Sequence, residues 1–257
     1  MKCVIFAGGL GNRIKTSNDE TPKPLLTIGE NPIIWHIIKI YQSYGIKDFI
    51  ICLGYKQEMF KKYFINQASY ENDICISYKN GEIKTLNNDF SDLNISLINT
   101  GKNTLTGGRL KRVEKYLENE ENFLLTYGDA VSDVNISKLI EYHNEKKKLV
   151  TITAVKRKEN FGVLKLDEEN NICDFSEKKA TTEYINAGFM VVNKKVLDYL
   201  EKNSASFEKE VLEKLVKENQ LSAYTHNGFW QCMDNQHQRE MLKKMIEDNE
   251  APWISWE

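Results

Sequence analysis

The sequence predicts an α/β fold with a mostly parallel central sheet and helices on both of its faces. Apolar runs of strand length recur through the first part of the chain, at 3–6, 49–53, 95–98, 123–127 and 150–155. A strand that is apolar at every position is typical of a parallel sheet, because both of its faces are covered. Segments with helical spacing separate these runs, which favours parallel strands joined by helices.

The helices are predicted from apolar residues spaced three and four apart and from the turn residues around them. Asn31 is predicted to cap a helix that has Pro32 at its first position and ends at Gly45. Thr106 is predicted either as the N-cap before a helix over 110–117 or as part of a ligand-binding turn. The other predicted helices cover 58–64, 136–143, 196–201, 207–218 and 236–250.

Antiparallel pairing is predicted in two regions. Asn80-Gly81 separates two apolar stretches at 74–78 and 82–86, which is a strong signal for a hairpin. After residue 155 the pattern changes to short strands at 161–166, 172–176 and 184–192. We therefore expect an antiparallel extension in the second part of the chain.

Composition excludes several classes of protein. Charged residues make up 28% of the 257 residues and nearly cancel, leaving a net charge of -2, which argues against a nucleic-acid binder. No apolar run approaches the roughly 20 residues of a membrane span, and the first one is too short for a signal peptide. Five cysteines without C-x-x-C spacing predict reduced, mostly buried thiols in a cytoplasmic protein.

A glycine-rich loop follows the first apolar run. Gly8, Gly9 and Gly11 allow a tight turn whose N–H groups face anionic oxygens, although an ordinary turn explains the glycines alone equally well. The loop lacks the Gly-Lys-Ser/Thr ending of the Walker pattern. Arg13 also stands near the third glycine of the dinucleotide fingerprint. With Lys23, it suggests a highly charged ligand such as a triphosphate.

A carboxylate follows the strand at 123–127. Open α/β sheets bind ligands at the carboxyl ends of their strands, and Asp129 lies there. It can hold Mg²⁺, which takes one or two carboxylates together with phosphate oxygens. An Asx-turn or a helix cap is the alternative role for Asp129. Asp133 is interpreted either as structural or as a residue that supports the ligands of the site without touching the ligand itself, and His36 as a packed or surface histidine.

Several motifs together carry a family resemblance. They are VIFAGGLGNR at 4–13, PKP at 22–24, Gly128-Asp129, Glu177-Lys178, Asn186-Ala187-Gly188 and WQCMD at 230–234. In combination they resemble the sugar-1-phosphate nucleotidylyltransferases. The segments PIIWH at 32–36, TGGRLKRV at 106–113, GFWQ at 228–231 and APW at 251–253 are similar to the cytidylyltransferase branch. The match runs in register from residue 1 to residue 257.

The resemblance implies a fold and a reaction. The fold is a Rossmann-like three-layer nucleotidyltransferase fold, with one domain over 1–257, of which 1–155 mainly binds nucleotide and 156–257 mainly binds sugar phosphate. The reaction condenses CTP with a sugar 1-phosphate, expected to be α-D-glucose 1-phosphate, and releases pyrophosphate with Mg²⁺ as cofactor. The product is expected to serve the synthesis of surface polysaccharide. A homo-oligomer, a hexamer by resemblance, is also expected.

The resemblance also assigns site residues. The nucleotide is expected at Ala7, Gly8, Gly9, Leu10, Gly11, Asn12, Arg13, Lys23, Thr104, Arg109, Gly128 and Asp129. The sugar phosphate is expected at Tyr127, Gly162, Glu177, Lys178, Asn186 and Gly188. Asp129 and Asp234 are the expected Mg²⁺ ligands. Arg13 and Lys23 would stabilise the leaving pyrophosphate, and Lys178 would hold the attacking phosphate.

Departures from the family pattern leave the sugar open. Asn12, Ala130, Lys179 and Ala187 replace residues that are usual in the family, and most departures lie on the sugar side. Another phosphorylated sugar or polyol, or UTP or dTTP, therefore stays possible. A metal-dependent glycosyltransferase and a non-catalytic nucleotide sensor are the alternatives from other classes. Trp253 and Trp256 are expected to pack on a neighbouring subunit.

Overall fold

The computed structural model describes residues 1–9, 21–69, 73–86, 92–156, 163–176, 183–200 and 205–256. The strands are β1 (Lys2–Phe6), β2 (Thr27–Ile28), β3 (Asn31–Pro32), β4 (Asp48–Leu53), β5 (Ile74–Ser77), β6 (Glu82–Thr85), β7 (Asn94–Asn99), β8 (Asn122–Tyr127), β9 (Ala130–Ser132), β10 (Val150–Lys156), β11 (Val163–Leu166), β12 (Ile172–Ser176), β13 (Tyr184–Asn193), β14 (Leu221–His226) and β15 (Trp230–Cys232).

The helices differ in length and in winding. The α-helices are α1 (Ile33–Gln42), α2 (Gln57–Ser69), α3 (Thr106–Val113), α4 (Ile136–Lys146), α5 (Glu213–Lys217) and α6 (Gln236–Glu247). Short 3₁₀ turns cover Lys23–Leu25, Glu114–Leu117 and Lys194–Tyr199, and a π-helical turn covers Phe207–Leu212. No helix of the described residues combines the length and apolar character needed to cross a membrane.

The central sheet of the described residues has the strand order β14-β10-β13-β8-β1-β4-β7. Strand β1 pairs in parallel with β4 and β8, and β4 pairs in parallel with β7. Strand β13 runs antiparallel to both β8 and β10, while β14 is parallel to β10. This arrangement confirms the predicted mostly parallel sheet, and the predicted hairpins form as β5–β6 and β11–β12.

The sheet is buried on both faces, which explains its continuous apolar runs. Successive side chains of a strand point to opposite faces. In β1, Cys3 and Ile5 belong to the core that is shared with α1, α2, α4 and α6. Val4 and Phe6 belong to the core on the other face, which is shared with α3 and the segment 205–215. The predicted three layers are therefore present.

Two predicted helix caps are wrong. Asn31 and Pro32 pair with β2 as strand β3, so α1 begins at Ile33 and has no side-chain cap. Helix α3 begins at Thr106 rather than at residue 110, and its N-cap is Leu105. The Thr106 hydroxyl donates instead to the Glu208 carboxylate at 2.6 Å. Thr106 is bonded to a partner 102 residues away, whereas Asn31 pairs with Ile28 in a short local hairpin.

The C-terminal tail packs against its own chain. Trp253 is 1% exposed, stacks on Phe229 with ring centroids 5.2 Å apart, and donates its Nε1–H to His36 Nδ1 at 3.4 Å. The expectation that Trp253 packs on a neighbour is therefore wrong. Of the two alternatives predicted for His36, the packed one is found: the side chain is buried, and its Nε2–H donates to the Ile28 carbonyl at 3.1 Å.

The cysteines are less buried than predicted. Cys3 and Cys52 are buried and Cys232 is half-buried, but Cys75 and Cys173 are exposed. All five are free thiols, as predicted.

His36 makes stability depend on pH. Burial lowers its pKa to about 4, although its bond to Ile28 opposes this. The pKa of an unfolded histidine is about 6.5, so unfolding takes up a proton between these values and stability falls as the pH drops through this range. Between pH 7.5 and pH 5 the free energy of unfolding of wild type should therefore decrease. We predict that this decrease is smaller in His36→Gln by about 2 kcal/mol. Urea unfolding at both pH values measures it.

The control for this prediction is His237→Gln. His237 is exposed on α6, so its replacement should leave the pH dependence of wild type unchanged. An equal pH dependence in wild type and His36→Gln would contradict the buried, unprotonated state of His36.

Candidate active site

A cleft of about 610 Å³ opens at the carboxyl ends of β1 and β8. It brings together many of the predicted residues, namely Ala7, Gly8, Gly9, Lys23, Thr104, Arg109, Tyr127, Gly128, Asp129 and Asp234. Gly188 and Asn186 adjoin the Tyr127 side chain. The predicted residues Leu10, Gly11, Asn12, Arg13, Gly162, Glu177 and Lys178 lie outside the described residues.

A lysine between two carboxylates forms the charged centre of the cleft. The Lys23 ammonium lies 2.7 Å from Asp129 Oδ2 and 2.5 Å from Asp234 Oδ1. The Lys23 side chain is 12% exposed, and each aspartate is about one-third exposed. The two carboxylates thus converge on a single point, which the Lys23 ammonium occupies.

The pairing of β9 with β15 brings the two aspartates together. Cys232 is paired with Ala130, and the Met233 N–H donates to the Asp129 carbonyl at 2.8 Å. Asp234 then precedes α6, and its N–H donates to Gln238 Oε1 at 2.6 Å. The helix start therefore fixes the backbone of Asp234 relative to Asp129.

Gly128 allows the Lys23 turn to approach the end of β8. A Cβ at this position would lie 3.0 Å from the Phe6 carbonyl oxygen and 3.2 Å from Pro24 Cγ. The Gly128 N–H also donates to that same carbonyl at 3.0 Å. Without a side chain at residue 128, Pro24 packs against the strand end and Lys23 reaches Asp129.

The charges in this centre set the protonation of nearby groups. Burial opposes the charged form of Lys23, but Asp129 and Asp234 outweigh it and raise the pKa of the ammonium. Burial, followed by the two neighbouring carboxylates, raises the pKa of the Cys232 thiol to about 11. Cys232 is therefore a neutral thiol, and it does not offer a thiolate nucleophile.

The two aspartates fit a hard divalent cation. Mg²⁺ commonly takes one or two protein carboxylates and completes its coordination with water and substrate phosphates. Asp129 and Asp234 supply such a pair in the cleft that Gly8 and Gly9 also line. Within the described part of the chain, no group of three or more His, Cys, Asp or Glu residues is arranged to hold a metal.

Arg109 is buried and its guanidinium braces the glycine-rich loop. It is 5% exposed, and its Nη2 donates to the Gly8 carbonyl at 2.8 Å. Its Nη1 donates to Thr100 Oγ1 at 2.8 Å and to the carbonyls of Gly101 and Leu53. The geometry thus gives Arg109 a role in holding the loop, and the predicted nucleotide contact stays a prediction.

Sequence reasoning missed one carboxylate that lines the cleft, Glu208. Glu208 accepts hydrogen bonds from Tyr127 Oη at 2.8 Å and from Thr106 Oγ1 at 2.6 Å. Burial, followed by the Glu208 charge, raises the pKa of Tyr127. The sequence signalled only a helix here, because the partners of Glu208 are 81 and 102 residues away.

Asp133 is structural, which is one of the two roles predicted for it. Its Oδ1 accepts the Phe229 N–H at 2.7 Å and contacts His226 Nε2 at 2.8 Å. These bonds hold the turn that precedes β15, and β15 leads to Asp234.

Comparison with known proteins gives the family. The Nucleotidyl transferase family profile matches residues 2–249. This chain belongs to that family. The chain is 40% identical to the glucose-1-phosphate cytidylyltransferase of Salmonella typhi over 258 residues, covering all of both chains. It is 39% identical to the probable glucose-1-phosphate cytidylyltransferase of Bacillus subtilis, again over both whole chains.

A solved structure confirms the nucleotidyltransferase fold. HddC from Yersinia pseudotuberculosis matches with a TM-score of 0.71 and 21% identity, covering 95% of this chain and 99% of that one. The chain is thus a nucleotidyltransferase that resembles glucose-1-phosphate cytidylyltransferases. Nucleotidyltransferases of this family generally use a divalent metal.

Gly8 and Gly9 differ in the space beside them, which gives a matched test of the Arg109 brace. A Cβ at Gly8 would overlap the Arg109 guanidinium, whereas a Cβ at Gly9 meets no atom of the described residues within 4 Å. We predict that Gly8→Ala lowers the free energy of unfolding by about 1–3 kcal/mol, because the bonded guanidinium cannot move freely.

Gly9→Ala should change the free energy of unfolding by less than about 0.5 kcal/mol. Urea unfolding of both variants measures the difference. If both variants unfolded at the same urea concentration, the Arg109 guanidinium would move aside without an energetic cost and would not hold the loop.

Proposed function

We propose that this enzyme condenses CTP with a sugar 1-phosphate, α-D-glucose 1-phosphate in the first place, to give a CDP-sugar and pyrophosphate. The observation that carries the proposal is the Lys23, Asp129 and Asp234 centre beside the glycine-rich loop. The relatives' names supply the nucleotide and the sugar, because the cytidylyltransferases match along the whole chain.

The nucleotide is proposed to lie along the glycine-rich loop. Backbone N–H groups of such a loop suit phosphate oxygens, and the Arg109 brace keeps the Gly8 carbonyl turned away into the protein. Lys23 and Arg13 are proposed to stabilise the charge of the leaving pyrophosphate. Thr104 lines the same cleft and is proposed to contact the nucleotide.

Asp129 and Asp234 are proposed to hold Mg²⁺. When bound, this ion supplies charge neutralisation to the nucleotide phosphates. Lys23 now satisfies both carboxylates, and the same ammonium is proposed to turn to the phosphates in the complex. The side chains of this centre thereby bind and orient the α-phosphate without a protein nucleophile.

The sugar phosphate is proposed to bind between Tyr127 and the segment that contains Asn186 and Gly188. Gly188 has φ +75°, and a Cβ there would lie 3.1 Å from the Tyr127 ring, so glycine keeps this approach open. Gly162, Glu177 and Lys178 complete the proposed sugar site, with Lys178 on the attacking phosphate.

Broader features of the protein are also proposals. The whole chain is proposed to form one domain, to act in the cytoplasm and to assemble as a homo-oligomer. Its product is proposed to enter the synthesis of a surface polysaccharide.

The reaction predicts a preference among nucleotides. A site that hydrogen-bonds the 4-amino group of cytosine leaves its own polar groups unpaired with other bases. We expect kcat/KM for CTP to exceed that for UTP, dTTP, ATP and GTP by about 100-fold or more. Pyrophosphate release from each nucleotide with a panel of sugar 1-phosphates measures this.

The outcomes of the panel separate the alternatives. Equal use of UTP would contradict the cytidylyl assignment and leave the reaction class in place. Binding of CTP without pyrophosphate release would favour a sensor. Consumption of a sugar nucleotide without pyrophosphate release would favour a glycosyltransferase.

If Asp129 and Asp234 hold the metal, the same substitutions should weaken both metal binding and turnover. Asp129→Asn and Asp234→Asn each remove one anionic ligand, so Mn²⁺ binding measured by electron paramagnetic resonance with CTP should weaken at least about tenfold. Turnover should fall by orders of magnitude. Asp92→Asn is the control, because Asp92 pairs with Lys47 on the surface. Wild-type metal binding in either site variant would show that its carboxylate is not a ligand.

A further inference from the structure

Three hydroxyl groups converge on the Glu208 carboxylate, and the proposed function uses only the Tyr127 member of this cluster. Tyr127 Oη lies 2.8 Å from Oε1, while Thr106 Oγ1 and Ser206 Oγ lie 2.6 and 3.0 Å from Oε2. All four residues line the cleft. These four residues are called the hydroxyl wall, and they share the cleft with the Lys23 centre.

Glu208 fixes the direction of these hydrogen bonds. Each of the three hydroxyls donates its single hydrogen to a Glu208 carboxylate oxygen. The oxygens of Tyr127 and Ser206 are then left with lone pairs only. The Asn186 side chain also hydrogen-bonds to Tyr127, in agreement with an acceptor at this oxygen.

Each hydroxyl oxygen of the wall also accepts one hydrogen bond inside the protein. Thr106 Oγ1 accepts the Phe207 N–H at 3.0 Å, Ser206 Oγ accepts the Lys209 N–H at 3.3 Å, and the Asn186 side chain bonds to Tyr127. A hydroxyl oxygen has two lone pairs, so each keeps acceptor capacity toward the cleft but has no hydrogen left for a ligand. A ligand that meets them must bring a donor.

We infer that Glu208 is a positioning residue for specificity, which holds the Tyr127 hydroxyl as an acceptor for a ring hydroxyl of the sugar phosphate. The inference rests on the proposed function. The sugar is favoured over the base because Tyr127 adjoins Asn186 and Gly188, on the proposed sugar side. The chemical class recognised here is thus a sugar phosphate with a free hydroxyl, and a substituent that only accepts is rejected.

Deoxyfluoro sugars test directly whether the ligand must donate a hydrogen bond to Tyr127. Fluorine replaces a hydroxyl at similar size but has no hydrogen to donate. Glucose 1-phosphate is compared with its 2-, 3-, 4- and 6-deoxyfluoro analogues by titration calorimetry, in the presence of a non-reactive CTP analogue. We expect wild type to bind one of the four about tenfold more weakly than the parent sugar.

Glu208→Met should reduce this penalty to about threefold or less. Methionine has a similar length but accepts hydrogen bonds only weakly, so the Tyr127 hydrogen becomes free to turn toward the ligand. Tyr127→Phe should reduce the same penalty, because it removes the acceptor itself. A general loss of structure would weaken parent and analogue alike and would leave their ratio unchanged.

Glu210→Gln is the matched control. Glu210 lies two residues along the same turn and accepts the Ser206 N–H at 3.0 Å. This variant should keep the wild-type ratio. Thermal unfolding by circular dichroism checks each variant, and if Glu208→Met does not fold, the Tyr127→Phe ratio decides.

The outcomes distinguish this inference from the proposed function. No penalty at any position in wild type, or an unchanged penalty in folded Glu208→Met, would overturn the role of Glu208 while pyrophosphate release still supports the reaction. If wild type neither binds these sugar phosphates nor releases pyrophosphate, the proposed function falls and the inference falls with it.

Discussion

The site depends on one ammonium group that holds two carboxylates together. Lys23 is separated from Asp129 by 106 residues and from Asp234 by 211, and its Nζ contacts both. Two carboxylates that share a site repel each other, so the lysine offsets a charge problem that the fold itself creates. The turn at 23–25, the end of β8 and the start of α6 are all positioned to satisfy this contact.

The same contact has a consequence for the proposed reaction. A nucleoside triphosphate brings several negative charges to a cleft whose two aspartates are already balanced by Lys23. If the ammonium turns to the phosphates, the aspartates lose their partner and require another cation. Nucleotide and metal would then enter as a coupled pair, because each makes the other's position electrostatically favourable.

The sequence predicted what depends on local pattern and missed what depends on distant partners. Six of the seven strands in the described central sheet were predictable as apolar runs, because most of them are buried on both faces. The edge strand β14 was not predicted, since it is only partly buried and lacks such a run. The role of Thr106 was not predictable either, since its bond to Glu208, 102 residues away, replaces the expected cap. Asn31 was mispredicted for a local reason, because it pairs with Ile28 in the β2–β3 hairpin. Lys23, Asp129 and Asp234 were predictable as site residues through the family resemblance, whereas the contact of Lys23 with both carboxylates appears only when the chain is folded.

The short helix α3 links the two halves of the cleft. Thr106 and Arg109 are three residues apart, a spacing that places side chains on the same side of a helix. Thr106 is held by Glu208 at the hydroxyl wall, and Arg109 holds the Gly8 carbonyl of the glycine-rich loop. A displacement of α3 would therefore move the loop and the wall together. Under the proposed function, the fixed position of this helix would keep the nucleotide and the sugar phosphate in register for in-line transfer.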